Sequence, residues 1–510
     1  MGKPTLAVSS AVAFSSSRTN LLLFLAGINL MLLQLFLIRE FAITLFCTEL
    51  VLLAITVAYF SGYSIGYWVS PRIDPSVIWP WLVSVVLLHL PMIAGVRVIG
   101  GWLDAIKLRS VSMPLICGIA ALCLTSFYTI FLPRAVASDG GSARSLARCY
   151  SLELAGSATG LALVLAVGRW WRFELLAVIY QTVLLAIAWC LGAPRRLMVG
   201  LTAGAVAVLV IMPVLDLVST EYFYNHFYSW LHNARALYRV HSPYQKIEVL
   251  ETTDGGRSLY LNGLEYFNTD DLEQFNFYLS EVPARLKPGA SVLVVGSGSM
   301  SSLSHLAPHA SQLTTVEIDA AVVDVGRRFF ADYNQLDQLR TPWRLVIDDA
   351  KHFLSTTTER FDLVIVDVPA PWYVQTGLLF TREFYQLVKG RLNEGGVLSV
   401  YLTESISLGK RKRVSSQILA ALIGVFDNLY VVNAKESPYG FAMAGDRLPF
   451  DTATIADTIR TARPRAEYQV YDRAQMRELI GDAPAASFDN LGIVWDLNLW
   501  ALPYKWLRRR

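Results

Sequence analysis

Residues 291–319 read SVLVVGSGSMSSLSHLAPHASQLTTVEID, and this stretch decides the fold of the C-terminal half. An apolar run of strand length is followed at once by a turn that contains Gly296 and Gly298. Glycines in such a turn let a ligand approach the backbone at the start of a helix. A second apolar run ends at Glu317, 19 residues after Gly298. An acidic residue at about this distance commonly binds ribose hydroxyls, so the stretch predicts a nucleoside-binding strand–turn–helix–strand unit.

The alternation of strands and helices continues toward the C terminus. Apolar runs at residues 343–347, 361–366 and 397–402 predict three further strands. This order is typical of a parallel sheet covered by helices on both faces, and ligands of such sheets bind beyond the carboxyl ends of the strands. Asp349 and Asp367 follow two of these strands. Each aspartate alone fits a helix N-cap, but acidic residues at three successive strand ends favour a ligand site.

Residues 244–267 show a different pattern, in which polar and apolar residues alternate. Asp254-Gly255-Gly256 and Asn262-Gly263 occupy the positions where hairpin turns are expected. The pattern predicts a small antiparallel β-hairpin subdomain ahead of the parallel sheet.

Charge is distributed unevenly along the chain. Of 510 residues, 17% are charged and 54% are hydrophobic, whereas about 25% charged residues is usual for soluble proteins. Residues 1–218 contain 14 Lys/Arg and 8 Asp/Glu, and the remainder contains 30 and 33. No basic stripe with interleaved aromatic residues occurs, so a nucleic-acid partner is not expected. All five cysteines lie in the apolar part without a zinc-site spacing, so no metal site is expected.

The charge-poor part contains seven apolar runs of about the 20 residues that a membrane-spanning helix needs. They cover residues 21–45, 50–69, 77–95, 111–132, 146–168, 173–192 and 197–217. The first run lacks a cleavage pattern of small residues and is interpreted as a retained helix. Seven helices place the termini on opposite sides. The positive charges are balanced between the loops and do not decide the orientation. The C-terminal domain is assigned to the cytoplasm because its expected ligand is made there. The chain is assigned to the inner or plasma membrane.

Several ionisable residues lie within or beside these runs. They are Arg39, Glu40, Glu49, His89 and Glu153. Ionisable residues at membrane depth are functional candidates. Arg39 and Glu40 also fit a solvated helix end, and the small residues that follow Glu153 favour close helix packing.

These patterns divide the chain into three parts. Residues 1–218 are predicted to form a transmembrane domain, residues 219–290 a linker with the β-hairpin subdomain, and residues 291–510 a Rossmann-like nucleoside-binding domain. The predicted fold class is an N-terminal α-helical polytopic membrane bundle plus a C-terminal α/β Rossmann-like, methyltransferase-like domain.

The C-terminal half resembles the spermidine synthase (polyamine aminopropyltransferase) family in its membrane-fused form, over about residues 240–445. The motifs that carry the resemblance are Tyr244-Gln245, Leu261-Asn262-Gly263, the turn from Gly296 to Met300, Val316-Glu317-Ile318-Asp319, Asp348-Asp349-Ala350, residues 361–367 and residues 379–385. The resemblance implies that Gln245, Glu317, Asp349 and Ala350 bind the adenosine part of decarboxylated S-adenosylmethionine or of methylthioadenosine. It implies that Asp367 is the general base. The donor is a co-substrate, and no permanently bound cofactor is expected.

The chain departs from the family pattern at the positions expected to bind the amine groups. The family has an Asp at Ser299 and a Gly at Met300. Its Tyr-His-Glu motif aligns with Phe275-Asn276-Phe277, and its second Asp after the fourth strand aligns with Ala370. The following Gly-Pro aligns with Tyr373-Val374. Asp270, Asp271 and Glu273 lie nearby and are candidates to compensate for the missing charges.

The hypothesis that follows is a membrane-anchored aminopropyltransferase-like enzyme with an altered acceptor, at a site that includes Asn276, Ser299, Ala370 and Tyr373. One alternative is methyl or alkyl transfer from S-adenosylmethionine to an apolar or aromatic substrate. Two others are a non-catalytic nucleoside sensor coupled to the bundle and a transporter with a regulatory domain. The expected partners are a small amine or apolar acceptor and the lipid bilayer, and a homo-oligomer is left open.

Overall fold

The computed structural model describes residues 16–45, 49–105, 109–170, 173–228, 231, 233–269, 272–408 and 413–497. The chain divides into a helical unit, Met1–Ala236, and a C-terminal unit, Leu237–Arg510. Each unit has its own hydrophobic core.

The helical unit consists of α-helices joined by short turns. Their bounds are α1 Ser16–Leu45, α2 Glu49–Val69, α3 Ile78–Ala105, α4 Arg109–Thr129, α5 Phe131–Ser138, α6 Ala143–Trp170, α7 Phe173–Cys190 and α8 Arg195–Phe227. Two 3₁₀ turns, Ser70–Arg72 and Pro75–Val77, join α2 to α3.

The predicted apolar runs correspond to these helices, with three differences. The run 111–132 is divided between α4 and α5, the run 77–95 begins one residue before α3, and the run 173–192 extends two residues past α7. Six described helices are long and apolar enough to cross a membrane, judged by length and composition. They are Ser17–Thr44, Leu52–Arg72, Pro75–Leu103, Gly118–Ser138, Ala143–Val167 and Arg195–Phe227. The remaining run forms the shorter apolar helix Glu174–Cys190.

Glycines bring α1 and α6 into direct backbone contact. A Cβ on Gly27 would lie 2.2 Å from the carbonyl oxygen of Glu153, and a Cβ on Gly156 would lie 2.0 Å from that of Phe24. Any larger residue at these positions would therefore push the two helices apart. The expectation that small residues near Glu153 serve helix packing is confirmed.

Helix α8 runs through the predicted domain boundary at residue 218. The predicted apolar run ends at residue 217, and Asp216 within it forms an ion pair with Arg97 at 2.8 Å. Thr220, one turn later, accepts a hydrogen bond from Arg97 at 2.7 Å. Because these polar side chains have partners on α3, the helix continues to Phe227.

A four-stranded antiparallel sheet begins the C-terminal unit, in the order β1-β2-β3-β4. The strands are β1 Arg235–His241, β2 Lys246–Glu251, β3 Arg257–Leu261 and β4 Leu264–Asn268. Gly255, Asn262 and Gly263 have positive φ angles in the turns between strands, as the hairpin signals predict. The hairpin prediction is confirmed, and β1 is an additional strand.

The second sheet has eight strands in the order β12-β10-β11-β9-β8-β5-β6-β7. The strands are β5 Ala290–Gly296, β6 Ala310–Glu317, β7 Trp343–Ile347, β8 Phe361–Asp367, β9 Leu392–Tyr401, β10 Asn428–Ala434, β11 Gly440–Gly445 and β12 Tyr468–Asp472. Strands β5 to β9 pair in parallel, which confirms the predicted sheet. Three further strands extend it through antiparallel pairs, β9 with β11, β11 with β10 and β10 with β12. The strand order reverses between β5 and β8, the place where sheets of this kind bind ligands.

Helices connect the parallel strands and continue into the antiparallel extension. They are α9 Leu272–Asn276, the π-helical turn Phe277–Glu281, α10 Val282–Leu286, α11 Leu303–Leu306, α12 Ala320–Phe329, α13 Ala331–Asn334, α14 Ala350–Thr356, α15 Val374–Gly377, α16 Arg382–Lys389, α17 Arg413–Val425, α18 Thr452–Ala462 and α19 Arg473–Ile480. Short 3₁₀ turns lie at Leu336–Gln338 and Leu378–Phe380.

Candidate functional site

The glycine turn after β5 is tightly bound to the neighbouring strand. Gly296 has φ +83°, and a Cβ at this residue would lie 2.2 Å from the carbonyl oxygen of Asp367. The next residue, Ser297, also has a positive φ and donates its N–H to that carbonyl at 2.8 Å. A Cβ on Gly298 would lie 2.9 Å from a carboxylate oxygen of Glu317. The two glycines therefore bring the ends of β5, β6 and β8 to one place, as the sequence predicts.

Glu317 ends β6 with a half-buried carboxylate. Its Oε1 accepts the backbone N–H of Asp319 at 2.9 Å. Burial raises the pKa of Glu317 to about 7, although backbone N–H groups that include that of Gly298 act in the opposite direction. A carboxylate that has lost hydrogen bonds to water is stabilised by neutral hydrogen-bond donors such as ribose hydroxyls.

Asp319 is buried beside Glu317 and holds the predicted ligand residue Gln245. The side-chain amide of Gln245 donates to Oδ2 of Asp319 at 3.1 Å, and the hydroxyl of Ser242 donates to the same oxygen at 2.7 Å. The other oxygen of Asp319 caps α12 through the N–H of Ala321. The sequence motif contained Asp319, but no role for it was foreseen; its position just before a helix was the available signal.

Asp349 lies at the end of β7 as an N-cap. Its Oδ1 accepts the N–H of Lys351 at 2.7 Å, so the capping interpretation of this residue is correct, and Oδ2 is not engaged in that bond. Ala350 is the first residue of α14 and is buried in the core. The neighbouring Asp348 bonds His352 at 2.7 Å.

Two isoleucines at the same edge of the sheet are unusually exposed. Ile318 follows Glu317 and is 40% exposed, and Ile347 precedes Asp348 and is 49% exposed. Glu317 and Ile347 are register partners on β6 and β7. The strand ends therefore present apolar surface next to carboxylates, which suits a purine ring attached to a ribose.

Asp367 ends β8 and is 6% exposed. Burial raises its pKa to about 6, and a hydrogen bond with the Ser297 hydroxyl opposes this shift. Its register partner is Gly296 on β5, and Glu317 lies one strand beyond. Two strand spacings of about 4.8 Å separate the backbones of the two residues by roughly 10 Å. A carboxylate with a pKa near 6 can accept a proton at neutral pH.

Tyr266 on β4 reaches from the hairpin sheet to this edge. Its hydroxyl donates to the carbonyl oxygen of Asp367 at 3.1 Å. Burial and the charges of Asp367 and Glu317 raise the pKa of Tyr266, so the phenol remains protonated. Tyr401 on β9 donates to the carbonyl of Val368 at 3.0 Å in the same way. Nothing in the local sequence pattern indicated either contact.

The predicted acceptor positions differ in their surroundings. Asn276 is completely buried, and among the described residues neither its amide nitrogen nor its oxygen has a hydrogen-bond partner. Ser299 is buried and donates to Ser301 at 3.2 Å. Ala370 is half-buried, and its carbonyl accepts the N–H of Trp372 at 2.6 Å. Tyr373 leads into α15.

Aromatic rings form a cluster that begins one residue before Asn276. The ring of Phe275 lies 5.3 Å from that of Tyr401 and 5.8 Å from that of Tyr439, and those two rings are 5.5 Å apart. The charge of Asp367 acts on Tyr401, which places the cluster near the candidate base. This aromatic character agrees with the departures that the sequence shows.

The residues considered as compensating acids are not all available. Glu273 forms an ion pair with Arg463 at 3.2 Å. The same guanidinium lies 4.2 Å from the ring centre of Phe277. Asp270 and Asp271 lie outside the described residues.

Comparisons with known proteins find relatives of the C-terminal part of the chain. The family described as the spermine/spermidine synthase domain matches residues 275–435. Polyamine aminopropyltransferase 1 of Pseudomonas aeruginosa is 37% identical over 171 residues, 32% of this chain and 57% of the relative. The polyamine aminopropyltransferase of Methanocaldococcus jannaschii is 30% identical over 185 residues, 35% of this chain and 61% of the relative. The chain thus spans about three fifths of the length of these relatives.

One solved structure with a similar chain is a spermidine synthase in complex with the transition state analogue AdoDATO. Its sequence is 22% identical, and the match covers 52% of this chain and 89% of the solved chain, with a TM-score of 0.39. The sequence matches confirm the resemblance: the C-terminal part of this chain carries a spermidine synthase domain.

Proposed function

We propose that the C-terminal unit transfers an aminopropyl group from decarboxylated S-adenosylmethionine to an amine. The observation that carries the proposal is the position of Asp367, a buried carboxylate at the point where the strand order reverses. Its raised pKa of about 6 suits a group that accepts a proton near neutral pH.

The donor side of the site supports this proposal. The ribose hydroxyls donate to Glu317, and the purine lies against the exposed side chains of Ile318 and Ile347. Gln245 is held toward the same place by Asp319. The glycine turn holds the ends of β5, β6 and β8 together, so that Glu317 and Asp367 belong to one edge of the sheet.

The chemistry needs one base. The acceptor amine, bound as an ammonium, gives a proton to Asp367, and its lone pair attacks the propyl carbon attached to sulfur. A C–N bond forms as the C–S bond breaks, and the bonding pair returns to sulfur. Methylthioadenosine leaves as a neutral thioether, so no acid has to protonate it.

The acceptor proposed for this site differs from a plain diamine. The candidate acceptor residues Asn276, Ala370 and Tyr373 are uncharged, and the cluster of Phe275, Tyr401 and Tyr439 is aromatic. Neutral groups of this kind bind a primary amine with an apolar or aromatic body. A second ammonium group would be left without the carboxylate partner that buried charges need.

The assay that tests the proposal is release of methylthioadenosine by the full-length protein in detergent or nanodiscs. The donor is supplied with a panel of primary amines, from diamines to aryl-alkyl monoamines. Asp367→Asn should lower turnover by about 10²–10⁴, while thermal shift with methylthioadenosine should remain. A parallel arm with S-adenosylmethionine measures S-adenosylhomocysteine release. Turnover in that arm alone would replace aminopropyl transfer by methyl transfer.

We further propose that the helical unit anchors the protein in the inner or plasma membrane with the C-terminal unit in the cytoplasm. The six long apolar helices and the shorter Glu174–Cys190 support this proposal. The donor is made in the cytoplasm, so that side gives the site access to it.

A further inference from the structure

Helix α6 contains a carboxylate that the proposed function does not use. Glu153 is 2% exposed, and its Oε2 accepts a hydrogen bond from the hydroxyl of Tyr67 at 3.0 Å. Its Oε1 has no hydrogen-bond partner among the described residues. Buried polar atoms nearly always have a partner. None of the described residues supplies the partner of this oxygen, which leaves it open to a bound ligand.

Three tyrosines lie on one face of α2, and the last of them, Tyr67, contacts this carboxylate. Tyr59, Tyr63 and Tyr67 follow one another at intervals of four residues, so they cover about 12 Å of the helix. Their ring centres are 5.2 Å and 5.8 Å apart in that order. The hydroxyls of Tyr59 and Tyr63 lie 3.5 Å apart, and Tyr67 donates its hydroxyl to Glu153.

The two helices that carry these groups are each fixed to a different neighbour. Gly27 and Gly156 hold α6 against α1. A Cβ on Gly62 would lie 2.8 Å from the carbonyl oxygen of Leu122, and this close approach holds α2 against α4. The contact of Glu153 with Tyr67 is thus made by long side chains between two separately supported backbones.

We propose that Glu153 with Tyr59, Tyr63 and Tyr67, the Glu153 site, binds the ammonium group of an organic amine. The carboxylate neutralises the cation and accepts its hydrogen bonds at Oε1. Tyrosine ring faces attract cations, and they do so more strongly away from water. This inference is independent of the function proposed for the C-terminal unit.

Other occupants fit these side chains less well. The described residues contain no group of three His, Cys, Asp or Glu side chains that could hold a metal ion. A proton alone does not complete the site, because a hydroxyl at Oε1 would still lack an acceptor. An ammonium group supplies both the positive charge and the donors.

The test is equilibrium dialysis of ¹⁴C-labelled pentylamine against the full-length protein in nanodiscs at pH 7. The parent protein and every variant carry Asp367→Asn, and no donor is added. Any binding of amine by the C-terminal unit is therefore the same in all the proteins compared. Glu153→Gln should lower affinity at least tenfold. The matched control Glu174→Gln removes an exposed carboxylate from α7 and should leave affinity unchanged.

A pair of substitutions at Tyr63 separates the ring from the hydroxyl. Tyr63→Phe retains the ring face and should bind within about twofold of the parent, whereas Tyr63→Leu should bind at least fivefold more weakly. Pentanol, which has the same chain without the charge, should not compete. Unchanged retention in Glu153→Gln, or competition by pentanol equal to that of the amine, overturns the proposal. If Glu153→Gln does not fold, the Tyr63 pair decides.

Discussion

Gln245 donates a hydrogen bond from its side-chain amide to Asp319, at 3.1 Å, and this bond joins the β-hairpin sheet to the end of β6. The same carboxylate accepts the hydroxyl of Ser242 and caps α12. Asp319 therefore fixes a predicted ligand residue and the start of a helix at once, which limits the side-chain entropy that Gln245 loses when a nucleoside binds.

The first prediction concerns this bond. Asp319→Ala should weaken methylthioadenosine binding by roughly 5–30-fold, because Gln245 loses its acceptor at a cost of about 1–2 kcal/mol. Calorimetry on the full-length protein measures the change. Asp319→Asn has a single acceptor oxygen, which can cap α12 or accept from Gln245 but not both, so this variant should also bind more weakly than the parent. Unchanged binding in Asp319→Ala, together with a clear loss in Gln245→Ala, would contradict this positioning role.

The second prediction compares the carboxylates at the ends of β6 and β7. Glu317→Ala should weaken methylthioadenosine binding by about 1–3 kcal/mol, since it leaves ribose hydroxyls without a partner. Asp349 also caps α14, so Asp349→Ala should lower stability as well as affinity. Asp349→Ser retains the cap and isolates the ligand contact. Calorimetry that shows unchanged affinity in both Glu317→Ala and Asp349→Ala would contradict nucleoside binding at these strand ends.

The parallel sheet could be predicted because its strands are short apolar runs that end at glycines or carboxylates. The three antiparallel strands β10, β11 and β12 were not predicted. The apolar run of β10 is only four residues long, β11 is bounded by glycines, and β12 mixes polar with apolar residues. Their pairing depends on neighbours in the folded sheet rather than on local pattern. The full length of α8 was missed for the same reason, because the partner of Asp216 is 119 residues away.

The strand-end residues of the candidate site were also accessible from sequence, while the residues that support them were not. Glu317 and Asp367 follow directly from the ends of predicted strands. Tyr266 reaches Asp367 only because the hairpin sheet lies over the strand ends and a register shift interrupts β3–β4 pairing between Leu259 and Tyr260. Such contacts depend on tertiary geometry that no local spacing encodes.

The third prediction concerns pH. Burial raises the pKa of Asp367 to about 6, so kcat/KM should rise with a midpoint near pH 6 as the base loses its proton. The raised pKa also makes the free energy of unfolding depend on pH. The contribution of Asp367 to this free energy is complete below about pH 4, the ordinary pKa of an aspartate, and is lost as the pH rises through about 6. Two pKa units correspond to about 3 kcal/mol at most.

Thermal unfolding of the full-length protein between pH 4.5 and 7.5 checks the stability part. The wild type should lose stability over this range more steeply than Asp367→Asn. Glu317, with a pKa of about 7, contributes a second and later loss that Glu317→Gln should remove. Equal slopes in the wild type and Asp367→Asn would show that Asp367 is not buried in the folded protein.

The fourth prediction concerns membrane topology. Seven spans, the six long apolar helices together with Glu174–Cys190, place the two termini on opposite sides of the membrane. Reporter fusions at each terminus should therefore show the C terminus in the cytoplasm and the N terminus outside it. Fusion in the loop before Arg195 gives an internal control for the shorter helix. Both termini on one side would mean that one of these helices does not span.

The last prediction is that the protein turns over putrescine poorly even when the donor is bound. Putrescine carries two ammonium groups, of which Asp367 can neutralise one. Ala370 and Phe277 stand where the resemblance leads one to expect polar or anionic partners. Each lost charge-assisted hydrogen bond of about 1.5–3 kcal/mol costs roughly one to two orders of magnitude in turnover, and the costs need not add.

Ala370→Asp should raise methylthioadenosine release with putrescine, and Ala370→Asn is the uncharged control. Phe277→Glu should help less, because Arg463 lies 4.2 Å from that ring centre and would pair with the new carboxylate. Wild-type turnover of putrescine equal to that of an ordinary spermidine synthase would falsify the altered-acceptor proposal and leave a plain aminopropyltransferase.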